Sequence, residues 1–185
     1  MRKIVYSLTA SLDGFVEGPN REIDWHQVDD ELHQHLNDLY RDVSAFLTGR
    51  VTHELMTAAW PAVAADPAAT GTMAEFAAIW CAKPKHVFSR TWQRTDWHTT
   101  VHRAVDVEQI RALQREPGGD MSVGGPDLAR TFRELDLIDE YRVYTCPVLI
   151  GRGRPMFPEV DAHTQLRLVD QRQFGNGVTL RHYTR

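Results

Sequence analysis

The clearest structural signal in this chain is Met121-Ser122-Val123-Gly124-Gly125-Pro126-Asp127-Leu128. Its apolar start indicates a short buried strand, and a helical pattern begins directly after the paired glycines. Glycines at such a junction either form a tight strand-to-helix turn or let the backbone approach a ligand closely. The free N–H groups of a helix start favour phosphate, so the segment predicts either a plain turn or a phosphate site.

Two further junctions between a strand and a helix carry side chains that suit phosphate. In Leu47-Thr48-Gly49-Arg50-Val51-Thr52, the guanidinium of Arg50 can pair bidentately with a phosphate and the hydroxyl of Thr52 can donate. The segment Val87-Phe88-Ser89-Arg90-Thr91 again supplies a hydroxyl and a guanidinium. The alternative for each is ordinary helix capping and a solvated arginine. Because ligands of open α/β sheets bind at the carboxyl ends of strands, the three junctions together predict a site for a nucleotide with several phosphates.

The remaining chain alternates short β-branched runs with helical patterns, which is typical of an α/β sheet with crossover helices. The predicted strands are 4–8, 44–48, 85–89, 121–123, 140–146, 166–169 and 178–183. The predicted helices are 28–41, one from near residue 50, 73–80, 107–114 and 127–137. Segments 61–72 and 151–155 are predicted to be loops. No linker interrupts the pattern, so residues 1–185 are predicted to form one domain.

Composition and charge limit the possible functions. The 185 residues include 21 Lys and Arg against 25 Asp and Glu, for a formal net charge of −4. This balance argues against a nucleic-acid surface, whose affinity comes from clustered cations. No apolar run approaches the ~18–20 residues of a membrane helix, and no signal segment develops, so we expect a soluble, cytoplasmic protein.

Cysteine and histidine usage indicates neither a disulfide framework nor a metal site. Cys81 and Cys146 are too few to staple a chain of this size, and both are predicted to be buried thiols. The nine histidines lack the spacing of metal ligands. We therefore predict no metal.

Taken together, these segments resemble the dihydrofolate reductase-like superfamily, in particular the branch of the riboflavin-biosynthesis reductase domain. The segments that carry the resemblance are, in chain order, Ser11-Leu12-Asp13-Gly14-Phe15-Val16, Gly49-Arg50-Val51-Thr52, Ser89-Arg90-Thr91, Gly124-Gly125-Pro126-Asp127-Leu128 and Pro147-Val148-Leu149-Ile150-Gly151-Arg152-Gly153. The resemblance extends from Ile4 to about Tyr183. It implies a three-layer α/β/α fold with a mostly parallel central sheet and an antiparallel C-terminal edge. It also implies NADPH as the hydride donor and a homodimer.

The resemblance further assigns cofactor contacts. Arg50, Ser89 and Arg90 look like the clamp on the ribose 2′-phosphate, which would favour NADPH over NADH. The residues expected around the pyrophosphate are Gly49, Thr52, Gly124, Gly125, Asp127 and Leu128. Thr9 and Val16 would hold the nicotinamide carboxamide through backbone groups, and Gly14 would let the first loop close over the cofactor.

The substrate side of the predicted site leaves alternatives open. Dihydrofolate reductases use one acid on the first long helix to support ring protonation, and Asp30 or Glu31 is nearest to it in spacing. The alternative is that these acids only stabilise the helix start. Ser7, Trp25 and Trp60 are the predicted substrate contacts. Departures from the folate enzymes at 61–72 and 151–154 argue against dihydrofolate itself.

We therefore predict an NADPH-dependent reductase of the dihydrofolate reductase or 5-amino-6-(5-phosphoribosylamino)uracil reductase type. It would pass a hydride to a pterin-like, ribosylamino-pyrimidine or related small heterocycle, without a nucleic acid or membrane partner. The alternative is a non-catalytic nucleotide- or drug-binding protein on the same scaffold, because no catalytic acid is unambiguous. A reductase of a xenobiotic is a third hypothesis.

Overall fold

The computed structural model describes residues 1–159 and 163–185. Its strands are β1 (Ile4–Ser11), β2 (Phe15–Glu17), β3 (Ala45–Gly49), β4 (Lys85–Phe88), β5 (Thr99–His102), β6 (Met121–Gly124), β7 (Glu140–Cys146), β8 (Arg154–Pro155), β9 (Arg167–Gln173) and β10 (Thr179–Thr184). Its helices are α1 (Asp30–Arg41), α2 (Arg50–Ala65), α3 (Gly71–Ala82), α4 (Val107–Arg115) and α5 (Pro126–Glu134).

Eight of these strands form one sheet in the order β5-β4-β3-β6-β1-β7-β10-β9. The six strands from β5 to β7 run parallel, whereas β10 and β9 add an antiparallel C-terminal edge. The predicted fold class, a three-layer α/β/α fold with a mostly parallel sheet, is confirmed. Thr48 lies opposite Gly124, and Gly49 lies opposite Phe88. The three predicted phosphate junctions therefore meet at one edge of the sheet.

The two faces of the sheet differ in chemistry. On one face, α4 and α5 bury a continuous apolar core that includes Leu47, Met121 and Phe132, and each such side chain contributes roughly 1.5–3 kcal/mol. On the other face, α1 covers one apolar cluster around Leu32, while α2 and α3 cover another around Trp80.

Between these two clusters, the central strands present hydroxyl groups. Side chains alternate along a strand, and Tyr6, Leu47 and Val123 point into the core under α4 and α5. Their neighbours Ser7, Thr48 and Gly124, together with Ser122, therefore face the side covered by α1, α2 and α3. We call Ser7, Thr48 and Ser122 the hydroxyl floor.

The predicted loop 61–72 is correct only for residues 66–70, because α2 continues through Pro61 to Ala65 and α3 starts at Gly71. Proline removes one helical hydrogen bond, but alanine, the best helix former, surrounds it here. Tertiary packing adds to this, since the rings of Trp60 and Phe76 have centroids 4.5 Å apart. Local propensity and packing together outweigh the proline.

The predicted loop 151–155 is also wrong in part. Arg154 and Pro155 form β8, which pairs with β2 in a separate two-stranded ribbon. Sequence analysis missed both strands, because two or three residues are too few to show an alternating pattern.

Several predicted boundaries also shift. The first helix starts at Asp30 rather than Val28, because the Asp29 side chain caps it by accepting from the Leu32 N–H at 2.9 Å. Helix α5 ends at Glu134 rather than 137, and Asp136 there has a positive φ of 60°. Strand β9 runs past Val169 to Gln173, and because each of its residues is exposed the segment shows no apolar alternation. Cys146 is buried as predicted, whereas Cys81 is only partly buried.

Candidate functional site

A cleft of about 480 Å³ opens at the carboxyl ends of β3, β4 and β6. Nine of the eleven predicted cofactor contacts line it, namely Gly49, Arg50, Thr52, Ser89, Arg90, Gly124, Gly125, Asp127 and Leu128. The parallel sheet brings them together although they come from three distant parts of the chain. Their individual roles stay predictions.

The helices α2 and α5 begin in this cleft without side-chain caps. Their N-cap residues are Gly49 and Gly125, whereas Asp29 and Asp106 cap α1 and α4 with carboxylates. The N–H groups in the first turns of α2 and α5 thus have no side-chain acceptor. Two such helix starts in one cleft offer converging donors and positive dipole ends to an anion.

The two glycines at these starts differ in their surroundings. A Cβ on Gly49 would meet no atom within 4 Å, so the cleft is open there. Gly125 has a φ of +88°, and a Cβ on it would lie 2.6 Å from the Thr52 hydroxyl oxygen. This glycine-lined cradle fits the pyrophosphate of a dinucleotide.

Four guanidinium groups border the cleft, those of Arg50, Arg90, Arg103 and Arg154. Arg50 pairs with both carboxylate oxygens of Glu54, at 2.6 and 2.8 Å. Arg103 donates to the backbone carbonyl of Arg90 at 2.5 Å, which ties the ends of β4 and β5 together. The cleft is therefore locally cationic in a chain of net negative charge.

Sequence analysis missed two of these cations. Arg103 follows β5 as Arg90 follows β4, so the strand-end rule applies to it equally. Arg154 lay in a segment predicted as a loop, and no sequence signal placed it beside the start of α5.

Ser89 is buried and acts as a turn cap after β4. Its hydroxyl oxygen accepts from the backbone N–H groups of Trp92 at 3.1 Å and Thr91 at 3.4 Å. These two bonds use the acceptor capacity of the oxygen, so its proton can go either to the Thr91 hydroxyl, 3.4 Å away, or to a phosphate. The capping role and the predicted phosphate contact are therefore compatible.

An apolar wall stands next to the cations. Phe88 and Val105 line the cleft, and Phe88 stacks on His102 with ring centroids 5.0 Å apart and planes 20° apart. The Nε2 atom of His102 in turn lies 2.9 Å from the Nδ1 atom of His86. A flat apolar surface beside guanidinium groups suits an aromatic base linked to phosphates.

A second group of polar side chains lies around the hydroxyl floor, on the sheet face that α1 covers. The hydroxyl of Tyr40 lies near Ser7 and Ser122, and that of Tyr144 lies near Ser7. Burial raises the pKa of both tyrosines, so both stay protonated near neutral pH. His35 contacts the Tyr144 hydroxyl through its Nε2 at 3.1 Å. These groups can donate and accept hydrogen bonds toward a small polar ring.

Asp30 and Glu31 do not have the surroundings of a buried general acid. Both are exposed, and Asp30 accepts from the Thr72 hydroxyl at 3.2 Å. Glu31 accepts from the Gly175 N–H at 2.9 Å and from Arg172 at 2.7 Å. These bonds, led by that of Gly175, hold the pKa of the Glu31 carboxyl below its ordinary value. Glu31 thus ties α1 to the turn before β10.

The other predicted contacts lie outside the lining of the cleft. Trp60 packs on Phe76, while the Trp25 indole donates to the Glu22 carbonyl at 3.2 Å. Thr9 is half-buried on the same face of β1 as Ser7. Val16 is buried in β2, and its carbonyl lies 3.3 Å from the His26 Nε2. The roles assigned to these residues stay predictions.

The described residues lack two kinds of feature. No helix in residues 1–159 and 163–185 is long and apolar enough to cross a membrane. Within the same ranges, no three His, Cys, Asp or Glu side chains are grouped so that they could hold a metal ion.

Comparison with known proteins shows similarity over nearly the whole chain. The model of the RibD C-terminal domain family matches residues 2–180. The uncharacterized protein YyaP of Bacillus subtilis is 33% identical over 178 residues, which cover 96% of this chain and 92% of the relative. The uncharacterized protein YwjB of the same organism is 30% identical over 190 residues, covering 100% of this chain and 98% of the relative.

Solved structures share the fold at lower identity. A putative riboflavin biosynthesis protein from Shewanella sp. PV-4 superposes with a TM-score of 0.77 at 20% identity, covering 98% of each chain. A diaminohydroxyphosphoribosylaminopyrimidine deaminase/5-amino-6-(5-phosphoribosylamino)uracil reductase from Thermotoga maritima has a TM-score of 0.64 at 14% identity. The match covers 99% of the present chain but 56% of that one.

Proposed function

Because the chain belongs to the RibD C-terminal domain family, we propose that it is a reductase that uses NADPH to reduce a small heterocycle. The substrate class is a pterin-like, ribosylamino-pyrimidine or related ring with a C=N or C=O bond. The observation that carries the proposal is the cleft in which two uncapped helix starts and four guanidinium groups converge. A protein named as a uracil reductase shares the fold.

The residues of the cleft would hold the cofactor at two points. The first turns of α2 and α5, with the Thr52 hydroxyl, are proposed to donate to the pyrophosphate. Arg50, Arg90 and Ser89 are proposed to hold the 2′-phosphate through charge-assisted hydrogen bonds. When bound, NADPH supplies the hydride, and the protein supplies orientation and electrostatics.

The hydroxyl floor is the proposed substrate side. Reduction of a C=N bond adds a hydride to carbon and a proton to nitrogen, so the site needs a proton source as well. Ser7, with the protonated Tyr144 behind it, is our candidate, because His35 links Tyr144 toward the surface. Asp30 and Glu31 are left out of this step, since both are exposed and engaged elsewhere.

Nicotinamide fluorescence during titration with NADPH tests the cofactor, and loss of NADPH absorbance across pterins and ribosylamino-pyrimidines tests the reaction. We expect saturable binding and turnover of one substrate class. Ser7→Ala should then lose turnover while retaining NADPH binding. The proposal fails if no binding develops at millimolar NADPH.

The non-catalytic alternative rests on one observation, that neither predicted carboxylic acid is buried. It predicts NADPH or nucleotide binding without turnover of any heterocycle in the screen. Robust oxidation of NADPH by a single substrate would exclude it.

We also propose that the chain acts as one domain in the cytoplasm and forms a homodimer. All seven residues of β9 are exposed, and among the described residues β9 pairs only with β10. An open strand edge with exposed Leu168 and Val169 is a surface that a second copy can cover. Sedimentation at micromolar concentration checks this, and a monomer throughout would refute the dimer.

A further inference from the structure

The β2–β8 ribbon carries two side chains into the lining of the cofactor cleft, those of Glu17 and Arg154. The ribbon is held closely in place. A Cβ on Gly153 would lie 2.2 Å from the Glu17 carbonyl oxygen, so only glycine fits beside Arg154. On the other side, the Met156 N–H donates to the Gly14 carbonyl at 2.9 Å. The position from which the guanidinium extends is therefore well defined.

Two carboxylates form ion pairs with the Arg154 guanidinium. Arg154 Nη1 lies 3.3 Å from a Glu17 carboxylate oxygen, and Nη2 forms an ion pair with Asp127. The two acids differ in exposure, since the side chain of Glu17 is 18% exposed and that of Asp127 is 81% exposed. The bond to Asp127 is thus the more solvent-screened of the two and the easier to exchange.

Asp127 lies in the first turn of α5, the helix whose start has no side-chain cap. An acid in a first turn is stabilised by the helix dipole and does not need an arginine partner. A pyrophosphate bound to the same turn would stand beside the Asp127 carboxylate and repel it. The guanidinium best placed to offset this repulsion is that of Arg154, which is already paired with Asp127.

On the basis of the proposed function, we propose that Arg154 is a pyrophosphate-binding residue of the cleft whose availability is controlled by its ion pair with Asp127. Binding of the cofactor transfers one side of the guanidinium from Asp127 to the pyrophosphate, while Glu17 keeps the other side. Phosphate matches the fork of arginine bidentately, which favours the exchange. The ribbon that carries Arg154 is thereby tied to the bound cofactor.

This role differs from that of the other arginines. Arg50 and Arg90 are proposed to contact the 2′-phosphate, which NADH lacks. The pyrophosphate is common to both cofactors, so a change at Arg154 affects NADPH and NADH equally.

Dissociation constants for NADPH and NADH, measured by fluorescence titration at fixed ionic strength, test the inference. Arg154→Gln should weaken both cofactors by about tenfold, the loss expected for a charge-assisted contact. Asp127→Asn should tighten both by about threefold, since it frees the guanidinium while keeping the backbone of α5. In the double variant the gain should shrink to what removal of the repelling Asp127 charge gives alone, and Arg154→Lys should fall between Arg154→Gln and the wild type.

Arg130→Gln is the matched control, because Arg130 lies on α5, pairs with Glu134 at 2.9 Å and does not line the cleft. It should bind both cofactors as the wild type does. Thermal melts of each variant show whether it is folded. Affinities of Arg154→Gln within twofold of the wild type would overturn the inference, as would a tightening by Asp127→Asn that is equally large with and without Arg154. If the wild type binds neither cofactor, the proposed function itself fails.

Discussion

The Thr52 hydroxyl oxygen lies 2.6 Å from the position that a Cβ on Gly125 would occupy. The starts of α2 and α5 therefore meet with no room for a side chain between them. Gly125 also has a φ of +88° and a ψ of 134°, a conformation that costs other residues roughly 1–3 kcal/mol. Close approach and backbone conformation both require glycine at this point of the cleft.

Gly125→Ala should accordingly lower the free energy of unfolding by roughly 1–3 kcal/mol, through strain and the forced shift of Thr52. Urea denaturation measures this loss. Gly124→Ala is the matched control, since its Cβ would lie 3.6 Å from the Thr48 methyl group, an ordinary contact. Its stability should stay near that of the wild type. Equal stabilities of the two variants would contradict the role assigned to Gly125.

Removal of the guanidiniums proposed for the 2′-phosphate should change cofactor preference. Arg50→Ala and Arg90→Ala are expected to weaken NADPH by about tenfold, equivalent to about 1.4 kcal/mol, with little effect on NADH. Fluorescence titration with both cofactors measures the ratio. Equal losses for NADPH and NADH would show that these arginines do not bind the 2′-phosphate.

Releasing Arg50 from its ion pair should raise the affinity for NADPH rather than lower it. Glu54 occupies the guanidinium in an i,i+4 pair at 2.6 Å, and Arg130 with Glu134 forms a similar pair away from the cleft. Glu54→Gln should free Arg50 and tighten NADPH about two- to threefold, whereas Glu134→Gln should leave affinity unchanged. A gain in both variants would indicate a general charge effect rather than a local one.

The cleft could be predicted from the sequence because a single rule governs it. Parallel strands end at the same edge, so Gly49, Ser89 and Gly124 had to meet once the strands that precede them were identified. The same rule applies to Arg103 after β5, but that strand has only four residues and no clear alternation.

Features that depend on tertiary contacts could not be predicted in this way. Arg154 reaches the start of α5 only because β8 pairs with β2, which lies 137 positions away at Glu17. Pro61 stays helical partly because Trp60 packs on Phe76. By its spacing, Glu31 was a candidate for the acid expected in the substrate pocket. Its carboxylate accepts a hydrogen bond from the Gly175 N–H.

Acid should destabilise the contact between α1 and α3 through Glu75. Hydrogen bonds from Arg41, then Asn37 and Gln34, lower the pKa of its carboxyl from 4.5 to about 2. A lowered pKa in the folded state gives stability that is present above pH 4.5 and lost as the pH falls toward 2. Glu75→Gln should lower the melting temperature at pH 7 and should not at pH 2. Asp38→Asn, which removes another partner of Arg41, should retain the acid-dependent loss seen in the wild type.

Alkaline pH should stabilise the fold through Lys85. This side chain is 1% exposed, donates to the Lys83 carbonyl at 2.7 Å and lies 4.3 Å from the Trp80 ring centroid. Burial lowers the pKa of its ammonium from 10.5 to about 8. Between pH 8 and 10.5 the unfolded chain therefore binds more protons at this position than the folded one, and the contribution to stability rises with pH.

Urea denaturation at pH 7.5, 9 and 10.5 should show this contribution, on the order of 1–3 kcal/mol, as a growing advantage of the wild type over Lys85→Met, because the buried tyrosines with raised pKa values act in the opposite direction in both proteins. Lys85→Met should lack it, although it costs stability at every pH because the Lys83 carbonyl loses its donor. Lys83→Met is the control, since Lys83 is only partly buried and donates to the Arg41 carbonyl at 2.7 Å. It should retain the rise of the wild type, because tyrosine and cysteine titration is common to both. A rise of equal size in Lys85→Met would mean that the buried ammonium is not its source.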